Sequence, residues 1–269
     1  MTATLWLPPV IRALATALIV VSASAVAEAL GPFWGALIAS LPVSAGPAYV
    51  FLAMQHDAGF VAASALGSAA ANAATGLFLI VYGIAASRLP PWRGLGIAVL
   101  AWLAASGAIR GVAWTPAWAL VLNLVVYGVG FGLVTTVRRA EPIAALPAPR
   151  RRLDLLVRAV AVAGFVSLVV AVSSILGATA TGIAAVFPIS LISLIVIVRS
   201  RIGGVASSLL AANALRAMLG FGAMLLALHL AIPLWGVPMA LVVALVVSAG
   251  WSVGLLVLQT RGRQVAEGI

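Results

Sequence analysis

The sequence predicts an all-α integral membrane protein of about nine transmembrane helices, built as two inverted four-helix repeats joined by a central fifth helix. Three observations carry this reading: the composition, the run of long apolar segments, and an internal duplication. Of the 269 residues, 64% are hydrophobic and 7% charged, and the mean hydropathy is +1.24. A soluble domain needs roughly a quarter of its residues charged to coat its surface, so lipid must replace that coat here.

The apolar segments set the count. About 20 apolar residues are needed to cross the hydrocarbon as a helix, and open strands cannot cross it because their backbone groups would go unpaired. Nine segments qualify, near 10–29, 33–54, 58–86, 94–110, 116–137, 154–175, 178–198, 203–229 and 237–259. The first also has the look of a cleavable leader, with Arg12 ahead of an apolar run and then Ser-Ala-Ser-Ala. Its match to a mid-chain segment favours a retained helix.

That match is the duplication. Advancing the first copy by 146 positions lays Arg12, Leu30, Gly31, Pro42 and Ser44 on Arg158, Leu176, Gly177, Pro188 and Ser190 without a gap. With small gaps, VAASALGSAAANAATG from Val61 pairs with VASSLLAANALRAMLG from Val205, and Pro90 and Trp92 pair with Pro233 and Trp235. The chain thus divides into a first repeat over 1–112, a linking helix over 113–137, an Arg- and Pro-rich cytoplasmic linker over 138–152, and a second repeat over 153–269.

Arginine orients the copies. The net charge of +10 comes from 15 arginines, with no lysine, against five acids. In the nine-span arrangement twelve arginines fall in or beside loops on one side, only Arg12 and Arg110 on the other, and Arg216 within a span. Cytoplasmic loops hold such an excess, so the N-terminus is expected outside and the C-terminus in the cytoplasm. The charge therefore reads as topology rather than as a nucleic-acid surface, and no nucleic-acid partner is expected. Five spans separate equivalent points, so the copies run in opposite directions across the membrane, a plan that resembles inverted-repeat carriers as a class. Arginine without lysine and abundant alanine point to a GC-rich bacterial genome, hence to a bacterial inner membrane.

Candidate chemistry follows from polar residues inside spans. Pro42 and Ser44 in LPVSAGP, and Pro188 and Ser190 in FPISLIS, occupy equivalent mid-span positions. Proline removes an N–H and frees a carbonyl a turn earlier, which lipid cannot satisfy. Either both helices are broken around a substrate site, or both are ordinary proline kinks with serines bonding back to the backbone.

Asn72, Asn213 and Arg216 mark the centres of the third and eighth spans, with Asn72 opposite Arg216 in the alignment. An arginine at mid-bilayer costs about 3 kcal/mol on insertion scales, so it should meet a cavity or a partner. A guanidinium there suits a carboxylate or another oxyanion; a structural tie to Glu28 or to the freed carbonyls around Pro42 and Pro188 is the alternative. Glu28, near the cytoplasmic end of the first span, is the candidate proton-coupling residue, since a desolvated carboxyl can carry a proton. Asn123 reads as an interhelical hydrogen bond, and His229 has the same reading.

The chain has no cysteine, two histidines, no phosphate-binding loop and no Ser-His-Asp arrangement, so no metal and no cofactor is expected. The expected function is secondary transport of a small anionic or zwitterionic organic solute by alternating access, with membrane lipids as the surroundings. The alternatives are an intramembrane enzyme or carrier for a lipid or polyprenyl substrate, and a non-catalytic subunit of a membrane complex.

Overall fold

The computed structural model describes residues 45–138 and 152–266, with six isolated positions between Ile11 and Ser22. Glu28, Pro42, Ser44, most of the first and second spans and the interior of the 138–152 linker lie outside the described residues. Among the described residues the chain is all-helical: α1 Ala45–Ala53, α2 Ala58–Ala85, α3 Pro91–Arg110, α4 Pro116–Arg138, α5 Arg152–Leu176, α6 Ala178–Ala185, α7 Ile189–Ile202 and α8 Gly204–Ala266.

Local chemistry sets these boundaries. The Asp57 carboxylate accepts the Phe60 N–H at 2.8 Å and caps α2. Pro91 and Pro116 each open a helix, where the missing N–H costs nothing and φ is already helical. Three junctions need a positive φ that only glycine adopts cheaply: Gly177 between α5 and α6, Gly203 between α7 and α8, and Gly236 within α8.

Among the described residues, six helical segments are long and apolar enough to cross a membrane, as in a multi-pass membrane protein. They begin at Ala58, Pro91, Pro116, Leu156, Ala178 and Gly204. The last, Gly204–Leu258, has 55 residues, about 80 Å of helix at 1.5 Å per residue, far more than one crossing needs. Gly236 (φ +75°, ψ 168°) interrupts it between Pro233 and Pro238. The sequence places the eighth and ninth spans on either side of this point.

The core is organised around α2. Nearly every residue of α2 from Val61 to Tyr82 is buried, because Ala, Gly and Ser let α3, α4, α6 and α8 approach on all sides. In lipid there is no water for helices to escape, so close packing and interhelical hydrogen bonds hold such a bundle. The first limb of α8 lies antiparallel to α2. His229 donates through Nδ1 to Ala62 O (2.8 Å), Asn72 Nδ2 to Met218 O (2.9 Å), Tyr82 OH to Ser207 Oγ (3.0 Å) and Ser208 Oγ to Gly83 O (2.6 Å).

Further ties lie at the two ends of α2. Near its start, His56 bonds Ser173 of α5 at 2.7 Å and stacks on Phe60 at 3.7 Å. Ser173 gives its one hydroxyl proton to Val170 O, so His56 Nε2 is the donor in the first bond. At the other end of α2 the Arg199 guanidinium donates to Ala86 O and Leu89 O.

Candidate functional site

The seventh span of the sequence is not one helix. It stops at Ala185 and restarts at Ile189, leaving Val186, Phe187 and Pro188 between α6 and α7. Pro188 cannot donate into the helix, so regular bonding stops here, and the Val186 and Phe187 N–H groups close the last turn onto Ile183 O and Ala184 O. Hydroxyls of α2 bond carbonyls along α6, from its first residue to just past its end. Ser64 Oγ donates to Ala178 O (2.9 Å), Ser68 Oγ to Gly182 O (2.6 Å) and Thr75 Oγ1 to Val186 O (3.1 Å).

Two donors stand behind these hydroxyls. Tyr49 OH of α1 donates to Ser68 Oγ at 2.6 Å, and the Trp102 indole of α3 donates to Thr75 Oγ1 at 3.2 Å. Phe187 itself sits between Trp102, edge-on at 5.0 Å between centroids, and Phe165 of α5 at 5.4 Å. Ser190 lies half-buried in the first turn of α7, where its carbonyl accepts the Ser193 hydroxyl at 2.9 Å.

Asn72 belongs to a different node. Its Nδ2 donates to Asn123 Oδ1 of α4 at 2.8 Å and to Met218 O of α8, and its own carbonyl accepts the Tyr127 hydroxyl at 2.8 Å. Asn123 in turn donates to Ala69 O and Ala119 O, both at 2.7 Å. The node closes because Gly222 has no side chain: a Cβ there would lie 2.8 Å from Asn72 Nδ2 and 3.0 Å from Asn123 Oδ1. Asn72 Oδ1 is buried without a hydrogen-bond partner.

Arg216 and Asn213 form a third place on α8. The Arg216 guanidinium lies 4.5 Å over the ring of Phe131 on α4, and among the described residues it meets no hydrogen-bond acceptor. Phe131 is eight residues beyond Asn123, about 12 Å along α4, so Asn72 and the Arg216 head group are at different depths. The Arg216 carbonyl accepts the Trp251 indole N–H at 2.9 Å, which fixes the backbone under the guanidinium. Asn213, one turn before Arg216, is exposed on the surface of the bundle.

The structure therefore spreads the sequence candidates over three places. Pro188 and Ser190 sit at the helix break, Asn72 at the α2–α4–α8 node, and Asn213 with Arg216 on α8; Pro42, Ser44 and Glu28 lie outside the described residues. Asn123 makes the interhelical bonds expected of it. Sequence reasoning missed Thr75, Trp102, Phe187 and Tyr127. One signal was available: Trp102 lies in the middle of its span, where an indole has no interface to reach. No family model, no curated protein and no solved structure matches this chain.

Proposed function

We propose that this chain is a secondary transporter that moves a small anionic or zwitterionic organic solute across a bacterial inner membrane by alternating access. The observation that carries the reading is Arg216. A guanidinium within an apolar span, resting on one aromatic ring and leaving its N–H edge unpaired among the described residues, is arranged to take a carboxylate in its plane. Asn213, on the same helical face one turn away, adds an amide donor to that site.

The helix break supports the alternating-access part. Irregular backbone at membrane depth is tolerated where protein or a cavity satisfies it, and discontinuous helices are the recurrent way transporters hold a substrate and a coupling ion. Nine spans, inverted repeats and an outside N-terminus belong to this proposal too. The contacts between α2 and α8 advance by equal steps in opposite directions along the two helices. They place Asn72 against Met218, beside Ala73 and Ala217, which are equivalent in the repeat alignment. A two-fold axis in the membrane plane requires equivalent residues to meet at one depth. Glu28 is the proposed proton carrier.

Reconstitution tests the reading. Proteoliposomes carrying the protein should exchange labelled small carboxylates or amino acids, and Arg216→Ala should abolish that exchange while leaving assembled protein in the membrane. Exchange at the wild-type rate by Arg216→Ala would overturn it. A second reading, a subunit of a membrane complex, draws on Asn213 at the bundle surface. It predicts co-purification of a partner that Asn213→Leu releases, with no solute exchange by the chain alone.

A further inference from the structure

We propose that the end of the bundle where α2, α3 and α7 meet holds the phosphate headgroup of an anionic membrane lipid, with an acyl chain lying along α3. The inference rests on the membrane-spanning reading and is independent of which solute is carried.

The framework of the site is a pinned turn. Arg199 of α7 donates through its two terminal nitrogens to Ala86 O and Leu89 O, so the α2–α3 turn is tied to α7. Gly204 presses on the same turn: a Cβ there would overlap Ala86 O and lie 3.2 Å from Arg199 Nη1. Arg199 is thus a positioning residue, committed to carbonyls.

The remaining charge is left for the interface. Arg88 lies between the two pinned carbonyls and is exposed, as is Arg93 in the first turn of α3. None of the five acids of the chain falls in 82–96 or 197–206, and Asp57 caps α2 at its far end. Like charges on one rigid turn repel, and an anion relieves them all at once.

The neighbouring surface selects a lipid over a free anion. Trp92 is 72% exposed beside Arg93, as an indole at the headgroup level would be. Arg93, Ile97 and Leu100 follow at i, i+4 and i+7 on one face of α3, so a phosphate at Arg93 places its acyl chain over exposed Ile97 and Leu100. Gly96, with open space around it, leaves a notch beside them.

The test uses the purified full chain given equal amounts of phosphatidylglycerol and phosphatidylcholine, with native mass spectrometry to count the lipids retained. Phosphatidylglycerol should be retained preferentially. Arg88→Gln/Arg93→Gln should lower that preference by about fivefold for each arginine removed, while Arg110→Gln, at the opposite end of α3, should leave it unchanged. Phosphatidylglycerol carrying a photoreactive tail should crosslink to the 97–103 stretch of the wild-type protein, a readout that needs no variant to fold. Equal retention of the two lipids, an unchanged preference in the double variant, or crosslinks confined to other helices would each overturn the proposal. So would saturation of the patch by inorganic phosphate with no lipid preference, which would make the ligand a soluble anion.

Discussion

Replacing Gly182 with alanine should separate α6 from α2 and release the carbonyls around the helix break. A Cβ built on Gly182 overlaps the backbone oxygen of Ser64 and comes within 2.8 Å of its carbonyl carbon and 3.0 Å of its Cα. All three atoms are backbone, so no side-chain rotation relieves the overlap. Restoring 3.4 Å to the carbon alone opens the pair by 0.6 Å, and clearing the oxygen takes more. That shift carries Ser64→Ala178, now 2.9 Å, and Thr75→Val186, now 3.1 Å, past hydrogen-bonding distance, and stretches Ser68→Gly182 from 2.6 Å.

Each of these bonds contributes about 1 kcal/mol in a membrane interior, and the opened contact loses about 1 kcal/mol or more of packing. Against this, alanine is about 1 kcal/mol better than glycine within a helix. A net loss of about 2–3 kcal/mol is expected from those terms. The assay is unfolding in mixed micelles by titration with sodium dodecyl sulfate, with Gly96→Ala as control because nothing lies within 4 Å of a Cβ there. The control should be neutral or slightly stabilised. A Gly182→Ala protein that unfolds at the wild-type midpoint would refute the close α2–α6 contact and the carbonyl ladder built on it.

Other perturbations reach the remaining sites. Asn72→Ala, Asn123→Ala and the double variant should show a coupling of about 0.6–1.7 kcal/mol in the same unfolding assay, because the two amides share one bond; additive losses would mean that the node does not form. Trp102→Phe keeps a ring against Phe187 but removes the donor to Thr75, so transport should fall while assembly persists; unchanged transport would exclude a role for that bond. Gly236→Ala forces a non-glycine residue to φ +75° and should cost about 1–2 kcal/mol of stability, whereas a stabilised variant would mean that the kink can straighten.

Much of the architecture is legible in the sequence. The starts and ends of α2, α4 and α5 fall within about two residues of the apolar segments, since apolar length and flanking proline or charge are local properties. The proline of FPISLIS marks the interruption of the seventh span for the same reason: a missing N–H is a local fact. The hydroxyl partners of the carbonyls along α6 and at Val186 could not be read in this way. Ser64, Ser68 and Thr75 are more than 100 positions from the groups they satisfy, and one-dimensional periodicity carries no information about such pairs.

The grouping of the candidate residues shows the same division. From the sequence, Asn72 and Arg216 are equivalent positions and invite a shared cavity. In three dimensions the Asn72 Nδ2 donors are taken by Asn123 and Met218, while Arg216 reaches Phe131 about two turns away along α4. In the proposed inverted repeat, alignment equates places in the two copies, and a two-fold axis would bring such places together only where it passes between them. Side chains longer than asparagine then leave that point in whichever direction their rotamers and neighbours allow.

The sequence alone therefore determined that the chain is helical, with segments long and apolar enough to cross a membrane, and where several of those helices begin and end, because hydrogen-bonding and solvation demands of a backbone in lipid are met residue by residue. Only the tertiary structure decided which hydroxyl bonds which carbonyl, which amide nitrogen is already paired, and which guanidinium meets no hydrogen-bond acceptor among the described residues. Those outcomes depend on the distances between helices, and the helices settle at the closest approach their small residues permit.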